Sequence, residues 1–282
     1  MQLSKKAFER RVQEYAKNRG IDFEFAMRSF ANLALMKLIS AAALDRGHEI
    51  AFKGGASIFL RFGFSRSRFT QDVDAFTSLS LSESEALVGA LTLVTDMAIN
   101  VDSAKRVRDF PVAGQGGSQQ VVEYRIALLY GESPWRTVTL QMLTGAQLEV
   151  GQASVLRGHE DAADFALLLG KPFIEQVNVI SLELQIAEKL HGLTRPDSVR
   201  GRDLFDIAVL SNGQPINLAS LSCQVHKVFD TRATHELPQV VVGPDQLKDY
   251  YQQSVGQLAA IVSFENALEL TNRLLKDIRN AS

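Results

Sequence analysis

Residues 52–57 read Phe-Lys-Gly-Gly-Ala-Ser and residues 70–74 read Thr-Gln-Asp-Val-Asp. A short stretch that is apolar at its end, 49–52, precedes the glycines, and a mostly apolar one, 56–62, follows them. That order predicts a strand, a tight turn and a short helix. Gly54 and Gly55 let backbone approach an anion closely, and a new helix N-terminus offers unpaired N–H donors to a phosphate. Ser57 adds a hydroxyl. In the second stretch, Asp72-Val73-Asp74-Ala75-Phe76 alternates as a strand does, so both carboxylates share one face, roughly 6–7 Å apart along the chain. They repel each other unless a cation lies between them, and Mg²⁺ suits, because it takes oxygen ligands and shares its sphere with phosphates. Asp-x-Asp alone is common, and so is Gly-Gly. Together they form the two halves of a nucleoside-triphosphate site. Lys53, Arg61, Arg66 and Arg68 lie between or beside them, with no acidic residue from 53 to 71. That charge can offset a polyphosphate, although one or two of these arginines fit a solvated loop equally well.

Outward from this centre, apolar spacing predicts helices over 4–18 and 22–46, the second stopped by Arg46-Gly47. A helix is expected over 80–98, a glycine-rich loop at 114–118, and strands over 121–130 and 137–143. Helices follow at 181–193 and 202–210, then mostly amphipathic helix from about 215, closing at 267–278. The expected fold class is α/β (α+β). It divides into a domain of residues 1–174 with N-terminal helices and a helical domain of 175–282, the boundary marked by 170–172.

A second charged block includes Lys189, on a helix whose other face is apolar, then Arg195, Arg200, Arg202, Asp203 and Asp206. The two aspartates fall on one helical face. Arg–Asp pairs pinning a helix hairpin explain Asp206 best, since it sits in an apolar run. The five histidines show no metal-ligand spacing. No G-x-S-x-G and no Walker sequence is present, which leaves serine hydrolases and P-loop enzymes without support.

The bulk properties agree. The chain has 282 residues, 46% hydrophobic and 22% charged, with net charge −2. It can bury a core, but it is no general nucleic-acid sponge, so any RNA surface must come from local clustering. Cys223 is the single cysteine, which excludes an internal disulfide. The polar N-terminus and the interrupted apolar run 31–43 predict no signal peptide and no membrane span, hence a cytoplasmic protein.

The motifs over roughly 50–210 resemble the AbiEii/AbiGii-type nucleotidyltransferase toxins. Lys53-Gly54-Gly55-Ala56-Ser57 and Thr70-Gln71-Asp72-Val73-Asp74 match the first motifs. Ala187-Glu188-Lys189-Leu190 and Arg202-Asp203-Leu204-Phe205-Asp206 match the third and fourth. The resemblance implies a polymerase-β-like core with a helical C-terminal region, and a toxin of a type IV toxin–antitoxin or phage-defence system. It implies Mg²⁺-dependent transfer of a nucleotide from an NTP to RNA, most naturally the tRNA 3′ end, as mycobacterial relatives do, with release of pyrophosphate. An antitoxin would be encoded nearby and could act without stable binding. Carried over, Lys53, Gly54, Gly55, Ser57, Arg66 and Thr70 would hold the nucleotide. Asp72 and Asp74 would bind metal, Lys189 would contact phosphate, and Asp203 would be the fourth-motif acid.

Such enzymes place a third carboxylate on a neighbouring strand, where this chain offers Gln141. The two aspartates with substrate phosphates, an acid from Glu123 or Glu149, or a weakened catalyst would each account for that. A small-molecule transferase of the aminoglycoside-modifying kind and a non-catalytic nucleotide- or RNA-binding protein are the competing readings.

Overall fold

The computed structural model describes residues 3–94, 98–111, 119–146, 149, 152–156, 158–169, 176–196 and 199–281. The glycine-rich stretch 114–118 and the boundary mark 170–172 lie outside them. Its described residues form two compact units, the first drawn from those up to 179 apart from 66–68, the second from 66–68 and those from 180 onward.

The first unit opens with α1 (Lys5–Arg19) and α2 (Phe23–Asp45). Ser4 and Asp22 cap them by accepting from Ala7 N and Phe25 N, which satisfies donors the first turns leave open. There follow β1 (Ile50–Lys53), α3 (Gly54–Phe62), β2 (Asp72–Thr77), α4 (Leu81–Gly89), β3 (Ile99–Pro111), β4 (Gln120–Tyr130), β5 (Ser133–Thr144), β6 (Ala153–Leu156), α5 (Glu160–Leu169) and β7 (Val177–Ile180). The strands make one mixed sheet in the order β3-β4-β5-β2-β1-β7-β6. Strand β2 runs antiparallel to β1 and parallel to β5, while β3, β4 and β5 form an antiparallel meander. The mixed α/β class expected from the sequence is the class observed.

Period-two alternation decides which sheet face is core. Val73, Ala75, Val122, Tyr124, Ile126, Val138, Leu140 and Met142 are buried, with α1, α2 and α5 in the same apolar cluster. Phe8 of α1 stacks on Tyr130 at 4.7 Å and meets Trp135 edge-on at 5.8 Å. Phe30 of α2 stacks on Phe165 of α5 at 4.4 Å. Asp161 locks this corner by accepting from Tyr15 Oη, Arg19 Nη1 and the Phe64 N–H at 2.7–2.9 Å. Helix α2 is long and apolar enough to cross a membrane by length and composition, a length that the run 31–43 alone does not reach, and most of it is buried inside the unit as a core helix.

The observed elements differ from the expectations in several places. Helix α3 starts at Gly54 rather than at 56. The helix expected over 80–98 ends at Gly89, tightens into a 3-10 turn (Ala90–Leu93), and gives way to strand by Ile99. Gly89, Thr92 and Val94 are weak helix formers, and a tight last turn is how such a segment ends. Strand β3 itself was not foreseen, because it is the sheet edge: past Val101 it lies largely outside the core, and a strand with two polar faces shows no alternation. The short β6 and β7 and helix α5 were also missed.

The second unit is helical: α6 (Leu182–Leu193), α7 (Gly201–Gly213), α8 (Leu218–Arg232), α9 (Asp245–Val255) and α10 (Phe264–Asn280). Ser181, Asn217 and Ser263 cap α6, α8 and α10. Leu190, Leu204, Phe205, Ile207, Leu221, Val225, Leu275 and Ile278 are buried in it.

Phe8 has no exposed surface. Phe8→Ala should cost about 3–5 kcal/mol through lost burial and the cavity left between Tyr130, Trp135 and Phe165. Urea unfolding should show the loss as a lower midpoint at unchanged slope.

Candidate active site

Lys53 ends β1 opposite Asp74 in the β1–β2 ladder, its Nζ 4.2 Å from the centroid of the Phe76 ring. Helix α3 begins at the next residue, and the Lys53 side chain makes no capping hydrogen bond to it. Gly54 has φ +70°, a conformation that side chains with a Cβ rarely adopt. A Cβ there would stand 2.0 Å from Asp74 Oδ2, and one on Gly55 would stand 2.7 Å from Thr70 Oγ1. The two glycines therefore let the aspartate strand lie flush against the start of a helix. Ser57 is fully buried and donates to the Gly54 carbonyl at 2.9 Å, so its hydroxyl holds the turn. Thr70 donates to Asp72 Oδ1 at 3.1 Å, and its own carbonyl accepts from Asn32 Nδ2 at 3.2 Å. Arg66 is exposed.

Asp72 and Asp74 point to the sheet face opposite the buried residues Val73 and Ala75, so the sequence's same-face geometry holds. Two polar rows run across that face. In one, Asp74 is paired with Gln141, Gln141 with Glu123, and Glu123 with Arg108. Gln141 Nε2 donates to Glu123 Oε2 at 3.4 Å, and Arg108 Nη2 donates to the same oxygen at 3.0 Å. In the other, Asp72 is followed by Thr139, Arg125 and Lys105. Neither row was foreseen, although the alternation Val121-Glu123-Arg125 was its available signal. Among the described residues no three His, Cys, Asp or Glu side chains gather as a metal cage. The donor set is instead two carboxylates with oxygen-bearing neighbours, tight against a glycine. This suits a hard cation that completes its sphere with phosphate oxygens.

In the second unit, Lys189 Nζ donates to Asp206 Oδ2 at 2.6 Å and to Asp203 Oδ1 at 3.2 Å. Asp206 also accepts two contacts from Arg68, from Nη2 at 2.9 Å and Nε at 3.1 Å. Arg200 Nε lies 3.1 Å from Asp203 Oδ2. Arg68, grouped in the sequence with the basic loop, is thus the arginine that Asp206 pairs with. Asp206 has no exposed surface. Burial pushes its carboxyl up, but Arg68 and Lys189 outweigh burial and hold it below the usual carboxylate range.

Residues 37–269 match the family model of the nucleotidyl transferase AbiEii toxin, type IV TA system. The chain belongs to the AbiEii family. It is therefore a nucleotidyltransferase of a toxin class that acts with an antitoxin partner and a nucleotide substrate. Two solved structures share the AbiEii fold. A protein from H. pylori assigned as a nucleotidyltransferase superposes with a TM-score of 0.52 at 17% identity, over 89% of this chain and 95% of that one. MenT4, a nucleotidyltransferase toxin from Mycobacterium tuberculosis H37Rv, superposes with a TM-score of 0.51 at 14% identity, over 99% and 98%. No curated protein shows a significant sequence match.

Removing the Asp206 carboxylate from this AbiEii chain takes away the buried anion that Arg68 and Lys189 share, and leaves Lys189 with Asp203 alone of the two carboxylates. Asp206→Ala should cost about 3–5 kcal/mol in chemical unfolding. The depressed carboxyl contributes stability that is present above the ordinary aspartate pKa and is lost as pH falls through the lower folded value. Asp206→Asn should therefore flatten the fall in wild-type stability below about pH 4, read from denaturant midpoints.

Proposed function

We propose that this chain transfers a nucleoside monophosphate from an NTP to an RNA acceptor, most naturally the 3′ end of tRNA, and releases pyrophosphate. The observation that carries the proposal is the flush packing of Asp74 on Gly54. It aligns a phosphate-binding helix start with a pair of carboxylates on one sheet face. Gly54, Gly55 and the N-terminal N–H groups of α3 hold the triphosphate, and Lys53 supplies positive charge beside them. Asp72 and Asp74 hold Mg²⁺, which when bound supplies charge neutralisation at the reacting phosphate. Thr70 orients Asp72 through its hydroxyl. In the second unit, Asp203 and Asp206 fix the Lys189 ammonium, which serves as the phosphate contact the family resemblance assigns it. Arg66 adds charge for the nucleotide. An NTP substrate and an RNA acceptor fit a cytoplasmic site of action.

Arg125 and Lys105 favour a polyanionic acceptor over a small one. They extend the row that starts at Asp72 across β5, β4 and β3, Arg125 exposed and Lys105 at the sheet edge. A nucleic-acid backbone crossing that row would meet cations at strand spacing, about 4.8 Å apart.

Purified protein with Mg²⁺, each labelled NTP and total tRNA should place label on tRNA, read on a denaturing gel. Asp72→Ala and Asp74→Ala should each abolish it while unfolding as wild type does. Transfer retained by both variants would remove the site assignment. Charge reversal of Lys105 and Arg125 together should weaken RNA binding and reduce its salt slope by roughly 1–2, with NTP binding unchanged. An unchanged RNA affinity would turn the reading towards a small acceptor.

A further inference from the structure

The row beside Asp74 contains a side chain to which the chemistry above gives no role. Gln141 is the register partner of Asp74 on β5, one strand away on the same face. On its other side stands Glu123, nine-tenths buried and held by Arg108. A carboxylate paired to a guanidinium accepts hydrogen bonds and donates none, so the arm of the Gln141 amide that faces Glu123 must be the NH₂. The planar amide then turns Oε1 away from β4, towards the side on which β2 and Asp74 lie. Among the described residues the contact with Glu123 is the amide's one hydrogen bond, so that carbonyl oxygen is left for a ligand. Amide oxygens are good donors to hard divalent cations.

The geometry points to Gln141 Oε1 as a third, neutral oxygen ligand of the divalent cation held by Asp72 and Asp74, with Glu123 as the positioning residue that fixes which end of the amide faces the metal. The inference rests on the metal-site reading proposed above. It turns the missing third carboxylate into a substitution of ligand type. A neutral ligand keeps the geometry of a third donor and leaves the site one negative charge poorer, which suits a cation that must be shared with a polyanionic triphosphate. Arg108 keeps Glu123 in its positioning role, because the carboxylate that could compete for the cation is already ion-paired.

The test is Mn²⁺ binding to the whole protein, followed by the loss of the free-ion electron paramagnetic resonance signal, with no turnover needed. Gln141→Ala should weaken Mn²⁺ binding by about tenfold, and Glu123→Ala by a similar factor, the usual effect of losing an outer partner of a metal ligand. In a Gln141→Ala background the Glu123 substitution should have no further effect, because it acts only through the amide. Glu123→Gln should keep near-wild-type binding, since its own carbonyl can still accept from the Gln141 NH₂. Wild-type affinity in Gln141→Ala, with binding lost in Asp74→Ala, would overturn the inference and leave the proposed function standing. Wild-type affinity in Asp72→Ala and Asp74→Ala as well would overturn both. An equal loss from Glu123→Ala in either background would show that Glu123 does not act through Gln141, and would remove the positioning role.

Discussion

The first unit depends on one close approach: the Asp74 carboxylate lies where a Cβ on Gly54 would have to be. Any other residue at 54 would both leave its preferred backbone region and push the aspartate strand away. That approach is possible because β1 and β2 are antiparallel neighbours whose ladder sets Lys53 opposite Asp74. The helix that follows β1 must then begin on top of β2. Under the proposed function, anion binding and cation binding are thereby tied to one backbone arrangement.

The sheet serves this arrangement by separating its faces. One face is apolar, covered by α1, α2 and α5, and stiffened by the stacks of Phe8 on Tyr130 and Phe30 on Phe165. The opposite face is free to carry charge in register. Because neighbouring strands set residues side by side at a fixed spacing, a row of polar residues on β2, β5, β4 and β3 becomes an ordered array. The same rigidity that holds the core sets Gln141 beside Asp74 and Glu123 beside Gln141 in the ladder.

The second unit solves a different problem. It holds a lysine ammonium in an apolar helical setting, where an unpaired charge would be costly. Asp206, fully buried, takes Lys189 and Arg68 together, and Asp203 takes Lys189 and Arg200. The ammonium is thus held by two carboxylates. The segment 66–68 belongs to this unit although it lies far from it in sequence. An arginine that looked like part of a basic loop is in fact the second cation on a buried carboxylate.

What the sequence determined by itself was local. Gly54-Gly55 after an apolar run, Asp72 and Asp74 at alternate positions, and the helical spacing of 4–18, 22–46 and 181–193 are short-range patterns. They follow from backbone sterics and from the 3.6 and 2 residue periods, so they were legible without coordinates. Strand β3 was not legible, because an exposed edge strand carries no apolar alternation. The end of α4 at Gly89 was missed because apolar residues continue past it. Only tertiary structure could decide who stands beside whom: Gln141 next to Asp74, Glu123 behind Gln141, Arg68 on Asp206. Those pairings depend on strand order and register, which join residues far apart in the chain, and a residue's own neighbours in sequence hold no record of them.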